Sequence, residues 1–161
     1  MDKNALLRSK KLYLMDMDGT LYLGNQLYPF TKDLLKTLKN TGRRYLLMTN
    51  NSSKSVEAYI EKLEKLGIEA TREDFLTSTQ ATIFYLQKHH KGLRFYLCGT
   101  QSMEQELLSA GILLTRNLDE VDGVLMGFDT ELTFQKLEDI SRLLLTRKDI
   151  PYIATNPDLV C

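Results

Sequence analysis

Short apolar runs and amphipathic stretches alternate along this chain, separated by glycine and by small hydroxyl residues. Leu12-Tyr13-Leu14-Met15 is apolar throughout, and a run that hardly alternates reads as a strand buried on both faces, as in a parallel sheet. After it, Thr31 is placed to cap a helix running to about Asn40, with Leu34, Leu35 and Leu38 on one face and Gly42 as its stop. Tyr45-Leu46-Leu47-Met48 repeats the buried-strand signal. Ser52 or Ser53 then caps a helix carrying Val56, Tyr59, Ile60, Leu63 and Leu66 at helical spacing, closed by Gly67. Phe75-Leu76-Thr77 predicts a short third strand, and Thr77 with Gln80 a capping box for a helix bearing Ile83, Phe84 and Leu86. The rhythm continues with a strand from Leu93 to Leu97, a Cys98-Gly99-Thr100 turn, a helix from Met103 to Ala110 and a strand at Val124-Leu125-Met126. A last helix starts at Thr133, with Phe134, Leu137, Ile140, Leu143 and Leu144 inward, before a strand at Tyr152-Ile153-Ala154. Strands that alternate with helices in this way predict an α/β fold built on a doubly wound parallel sheet.

The first strand delivers Asp16 and Asp18, one residue apart, onto a turn at Gly19. In open α/β sheets ligands bind outside the carboxyl ends of the strands, so these carboxylates fall where the fold places chemistry. A carboxylate held at a strand end can attack phosphorus directly, and Asp16 is the candidate nucleophile. Anionic nucleophile and phosphate repel each other, so a hard cation such as Mg²⁺ is expected to bridge them, with Asp16 and Asp18 as its candidate ligands. Asp18 can also protonate the leaving oxygen and later deprotonate water. Gly19 permits the sharp turn, and Thr20 can offer it a hydroxyl. Taken alone, Asp-x-Asp-Gly is only a hydrophilic turn. The second apolar run changes that weighting, because it ends in Thr49-Asn50-Asn51-Ser52-Ser53, which supplies a hydroxyl, amides and a helix start as neutral donors to phosphate oxygens.

Asp16-Met17-Asp18-Gly19-Thr20-Leu21-Tyr22 together with Thr49-Asn50-Asn51 resembles the first two motifs of the haloacid dehalogenase superfamily. Those residues, with the later Ala154-Thr155-Asn156-Pro157-Asp158, are similar to its NagD and 4-nitrophenylphosphatase-like sugar-phosphatase branch, subfamily IIA. The resemblance covers the whole chain. It implies that Asp16 is nucleophile and metal ligand, that Asp18 is the general acid/base whose backbone carbonyl also ligates Mg²⁺, and that Thr49 binds phosphate with Asn50 and Asn51 beside it. It further implies a core up to about residue 79, carrying both motifs, and an α/β cap of the C2 type over residues 80–161. Members of the branch continue beyond the Asn-Pro-Asp segment to a lysine and a Gly-Asp-x-x-x-Thr-Asp motif, and this sequence stops at Cys161 with neither. On that comparison the chain is expected to be a C-terminally truncated piece of such an enzyme, with an incomplete cap and its first strand left at a sheet edge.

Composition narrows the partners. With 43% hydrophobic and 26% charged residues the chain reads as globular, and Lys plus Arg equals Asp plus Glu at 21 each, which offers no general attraction to nucleic acid or to a membrane surface. No apolar run approaches the length of a membrane span and the start lacks a signal peptide's apolar core, so a cytoplasmic protein is expected. Cys98 and Cys161 suggest neither a disulfide framework nor a zinc site. His89 and His90 read as solvated surface, Asp122 and Asp129 as turn residues, and Cys98-Gly99-Thr100 as a turn that needs glycine for backbone reasons. Asn156-Pro157-Asp158 is either an ordinary turn or a loop supporting the site. The reading is a Mg²⁺-dependent phosphatase acting on a small phosphorylated metabolite, a sugar phosphate or similar, through an aspartyl-phosphate, with a homo-oligomer allowed. Its alternatives are a catalytically incomplete phosphate-binding fragment of such an enzyme, or an Asp-x-Asp metal-dependent glycosyltransferase.

Overall fold

A computed structural model describes residues 3–156. The chain divides into two compact units, one formed by the residues up to Thr49 with Val56–Leu76, the other by Asn50–Ser55 with the residues from Thr77 onward.

The first unit runs α1 (Lys3–Arg8), β1 (Leu12–Asp16), a hairpin of β2 (Tyr22–Leu23) and β3 (Gln26–Leu27), α2 (Thr31–Asn40), β4 (Arg44–Thr49), α3 (Val56–Lys65), a 3₁₀ turn at Arg72–Asp74 and β5 (Phe75–Thr77). Its sheet has the order β1-β4-β5, and β1 runs parallel to β4 with Leu12 opposite Arg44 and Asp16 opposite Met48. Met17, Leu35, Leu38, Tyr45, Leu47, Tyr59 and Leu63 close the core. Helix α2 has its apolar stripe where the spacing put it, but Thr31 is its first residue rather than its cap. The Thr31 hydroxyl is wholly buried and donates instead to the Leu21 carbonyl at 2.6 Å.

Two further expectations fail, one in this unit and one in the segment 50–55. Strand β1 is not buried on both faces: Tyr13 and Met15 pack inward, while Leu12 and Leu14 are exposed, Leu14 at 59%. The same face of its neighbour β4 is also thinly covered, with Arg44 exposed and Leu46 and Met48 half-buried, so the packing layer lies mainly on the Tyr13–Met15 side of the sheet. Neither Ser52 nor Ser53 caps α3, which starts at Val56. Asn51 Oδ1 instead accepts from the Ser53 amide at 2.8 Å and from its hydroxyl at 2.6 Å, an Asx turn that carries the chain past the expected helix start.

The second unit contains α4 (Ser78–His89), β6 (Arg94–Cys98), α5 (Gln101–Ser109), β7 (Leu113–Leu114), a 3₁₀ turn at Leu118–Glu120, β8 (Gly123–Met126), α6 (Phe134–Thr146) and β9 (Tyr152–Ala154). Its four strands form a parallel sheet of order β7-β6-β8-β9. Alternation along β6 explains the layers. Phe95 and Leu97 join Ile83, Leu86, Met103 and Leu107 on one face, whereas Tyr96 and Cys98 join Ile140 and Leu143 on the other. Thr77 and Gln80 make the expected capping box, and Thr100 and Thr133 cap α5 and α6. At the start of α6 the inward reading of Phe134 and Leu137 is wrong: Phe134 is 81% exposed and Leu137 is exposed too, with burial beginning at Ile140. Phe84 of α4 likewise faces solvent. No helix among the described residues is long and apolar enough to cross a membrane.

Candidate active site

Asp16 closes β1 and Asp18 lies two residues beyond it, with Met17 between them fully buried. An extended chain alternates its side chains, so driving Met17 into the core leaves both carboxylates outward. The turn is tightened at the Met17 carbonyl, which accepts from the amides of Thr20 at 3.2 Å and Leu21 at 2.9 Å. Gly19 takes φ +79°, a left-handed conformation open to glycine at little cost, and its amide donates to the Tyr22 carbonyl at 2.8 Å.

Because β1 and β4 are parallel with Asp16 opposite Met48, Thr49 stands one residue farther along the neighbouring strand, at the same end of the sheet. Thr49 is buried. Asp16, Asp18 and Thr49 thus belong to one unit and to the carboxyl end of one pair of parallel strands. Asn50 and Asn51 follow Thr49 directly but are grouped with the second unit, Asn50 exposed and Asn51 half-buried. Of the Asn156-Pro157-Asp158 segment, Asn156 belongs to the second unit as well, and Pro157 and Asp158 lie outside the described residues.

Three residues that pattern reading passed over complete the surroundings of Asp18. Lys62, on α3, approaches Asp18 Oδ1 at 3.4 Å and stands over the Tyr22 ring, 3.9 Å from its centroid. The Tyr22 hydroxyl donates to the other oxygen, Oδ2, at 3.4 Å. Burial raises the Tyr22 pKa well above the phenolic range and the Asp18 charge pushes it the same way, so this group stays a neutral donor. The third residue, Tyr59, is three positions before Lys62 on the same helix face. Its pKa is raised by burial, partly offset by the neighbouring Thr49 hydroxyl and reinforced by the charge of Asp18. The only sequence signals were spacings, Tyr59 to Lys62 at three and Asp18 to Tyr22 at four, and both look like ordinary packing until the tertiary structure joins them.

Thr20 donates its hydroxyl to Asp16 Oδ2 at 3.4 Å. The side chains that bond the two carboxylates from their own turn, Thr20 and Tyr22, do so through oxygen, and both aspartates are exposed. That donor set suits a hard cation that keeps several of its waters. No group of three or more His, Cys, Asp or Glu side chains converges among the described residues, so protein ligands alone would not fill an octahedral shell.

Comparison with known proteins places this geometry in a family. A model of the haloacid dehalogenase-like hydrolases matches residues 13–113, which include Asp16, Asp18 and Thr49. Acid sugar phosphatase of Staphylococcus aureus is 34% identical over 153 residues, 95% of this chain and 58% of that protein. The crystal structure of 4-nitrophenylphosphatase from Thermotoga maritima superposes with a TM-score of 0.86 at 34% identity, covering 94% of this chain and 56% of that one. Glycerol phosphate phosphatase from Mycobacterium tuberculosis, solved in complex with magnesium, gives a TM-score of 0.80 at 28% identity over 91% of this chain and 44% of that one. The chain thus spans less than three-fifths of the length of each of these proteins, matching them along nearly all of its own length. It belongs to the haloacid dehalogenase-like hydrolases, in the branch that holds the NagD-like and 4-nitrophenylphosphatase-like phosphatases.

Proposed function

We propose that the protein hydrolyses a small phosphomonoester, a sugar phosphate or a metabolite of similar size, with Mg²⁺ as cofactor. The observation that carries the reading is the β1–β4 register, which sets two carboxylates and a threonine at the carboxyl ends of adjacent parallel strands. Asp16, fixed at a strand end, attacks phosphorus and forms the aspartyl-phosphate while the substrate oxygen leaves. Asp18 gives that oxygen its proton and then takes one from the water that releases phosphate. Lys62 and the neutral Tyr22 phenol each hold one oxygen of Asp18 and so orient it. Thr49, with Asn50 and Asn51 next in the chain, binds phosphate oxygens through neutral donors. Mg²⁺, held by Asp16 and Asp18, would offset the repulsion between nucleophile and phosphate.

The first unit is read as the opening part of the family's core, and the residues from about 80 onward as its cap. The choice of a sugar phosphate draws its support from the name of the Staphylococcus aureus relative. Membership of the hydrolase family removes the glycosyltransferase alternative. Because no group of three or more candidate ligands converges among the described residues, a phosphate-binding role without turnover stands as the second reading.

The test is 4-nitrophenyl phosphate hydrolysis with and without Mg²⁺, beside beryllofluoride trapping read by mass spectrometry. Mg²⁺-dependent turnover that Asp16→Asn abolishes, with the adduct on Asp16, is the expected result. Asp18→Asn should slow turnover on the order of a hundredfold. An adduct on another residue would overturn the nucleophile, and an adduct on Asp16 without turnover would select the phosphate-binding reading.

A further inference from the structure

The second sheet has an unusual occupant. In an open parallel sheet the crevice outside the carboxyl ends of the strands is where a ligand is expected. Here residues 50–53 of the chain itself lie there. The Ser52 hydroxyl, wholly buried, accepts from the Phe128 amide just past β8 at 2.7 Å and from the Thr155 hydroxyl just past β9 at 3.1 Å. The Ser53 carbonyl accepts from the Thr100 hydroxyl beyond β6 at 3.1 Å. The Asn50 carbonyl accepts from the Ser78 hydroxyl beyond β5 at 3.0 Å and from Asn156 Nδ2 at 3.2 Å.

Packing leaves little freedom in this arrangement. A Cβ added at Gly127 would stand 3.0 Å from Ser52 Oγ and 2.5 Å from Met103 Sδ, so the chain leaving β8 approaches Ser52 as closely as a residue without a side chain allows. Thr100 serves twice, capping α5 through the Met103 amide and holding the Ser53 carbonyl. The donors Thr100, Phe128, Thr155 and Asn156 follow β6, β8 and β9, strands held in register by one sheet, whereas Ser78 opens α4.

We infer that Ser52, Thr155 and Asn156 are positioning residues. They fix the backbone of Asn50-Asn51 to the strand ends of the second sheet and thereby preset the donors that follow Thr49. The inference gives the Thr155-Asn156 segment a role that turn chemistry alone does not. Its consequence for ligand binding rests on the phosphatase reading, while the grip on the loop stands apart from it.

The experiment measures amide hydrogen exchange by NMR at residues 50–53 and titrates the same protein with inorganic phosphate in the presence of Mg²⁺. Wild type is compared with Ser52→Ala, Thr155→Val and Thr155→Ser. Losing one buried hydroxyl contact is expected to speed exchange in the loop by about tenfold and to weaken phosphate binding by a similar factor. Thr155→Ser, which keeps the donor, should restore both, a rescue that loss of general stability would not show. Thr155 is half-buried, so Thr155→Val carries the test if Ser52→Ala fails to fold. Unchanged exchange in Thr155→Val, or faster exchange with unchanged phosphate affinity, would overturn the inference. A wild-type protein that shows no phosphate-dependent shifts would instead overturn the phosphatase reading and the loop's binding role with it, while the exchange data would still report on the grip.

Discussion

Removing Lys136 should be the most damaging single change of charge in the second unit. Its ammonium donates to Asp129 Oδ2 at 2.8 Å, to the Gly99 carbonyl at 2.9 Å and to the Glu131 carbonyl at 3.3 Å. The Asp129 side chain is only 2% exposed and that of Lys136 16%, so the pair sits in the protein and not on its surface. In Lys136→Met the carboxylate keeps the Glu131 amide at 2.8 Å and a Cys98 thiol contact at 3.7 Å, and it loses its countercharge. Stranding a buried charge costs about 3–5 kcal/mol, whereas an exposed pair such as Arg94–Glu120 contributes about 0–1 kcal/mol. With a urea slope of about 2 kcal/mol/M, the unfolding midpoint should fall by about 2 M. Asp129→Asn combined with Lys136→Met should regain most of the loss, because the neutral amide still accepts from Glu131 and no charge is left buried. Urea unfolding followed by circular dichroism on the wild type, both single variants and the double variant closes the cycle. A loss below about 1 kcal/mol for Lys136→Met, or a double variant as unstable as the sum of the singles, would refute the reasoning.

Burial, then the Asp129 charge, pushes the Cys98 thiol from 9.0 up to about 11. In a Cys161→Ser background it should therefore react with thiol reagents at pH 8 far more slowly than free cysteine. The unfolded chain loses this proton near pH 9 and the folded one keeps it to about 11, so the stability it contributes below pH 9 should fade between pH 9 and 11, read as a falling urea midpoint. Lys62→Gln should change stability by less than about 0.5 kcal/mol, because Asp18 is more than half exposed; a larger loss by urea unfolding would show that the contact is structural. Leu47→Ala, at a wholly buried position on β4, should cost about 2–5 kcal/mol, and a midpoint within error of wild type would contradict the core described above.

What the sequence disclosed about the site is what the chain places close together along itself. Asp16, Asp18 and Gly19 sit within one turn, and the apolar runs before Asp16 and before Thr49 are enough to identify two strands and their carboxyl ends. The alternating elements likewise pointed to parallel α/β sheets, and the capping box at Thr77 could be read from two residues. Errors arose where burial depends on neighbours remote in sequence. Leu12 and Leu14 look like core residues by type, yet they are exposed on a face of the sheet where Arg44 is exposed and Leu46 only half-buried beside them, a property of the layer over the sheet and not of the strand itself. Phe134 is apolar at a helical spacing that would suit a core face, but it stands at the first turn of α6, ahead of the sheet that covers Ile140 and Leu143.

The same distinction explains why Ser52 reads as a helix cap from sequence. Serine after a strand and before an amphipathic stretch has a local partner available, the free amides of the coming helix, and propensity favours it. Its actual partners are Phe128, 76 residues away, and Thr155, 103 residues away. A local cap would leave Ser52 near solvent at a helix end, where competition with water limits its worth, whereas in its actual place the hydroxyl is wholly buried and accepts from two donors. The long-range solution therefore wins over the short-range one. Lys62 and Tyr22 follow the same logic at shorter range: each is an unremarkable residue in its own element, and each acquires meaning because α3 and the turn after β1 bring both to the oxygens of Asp18.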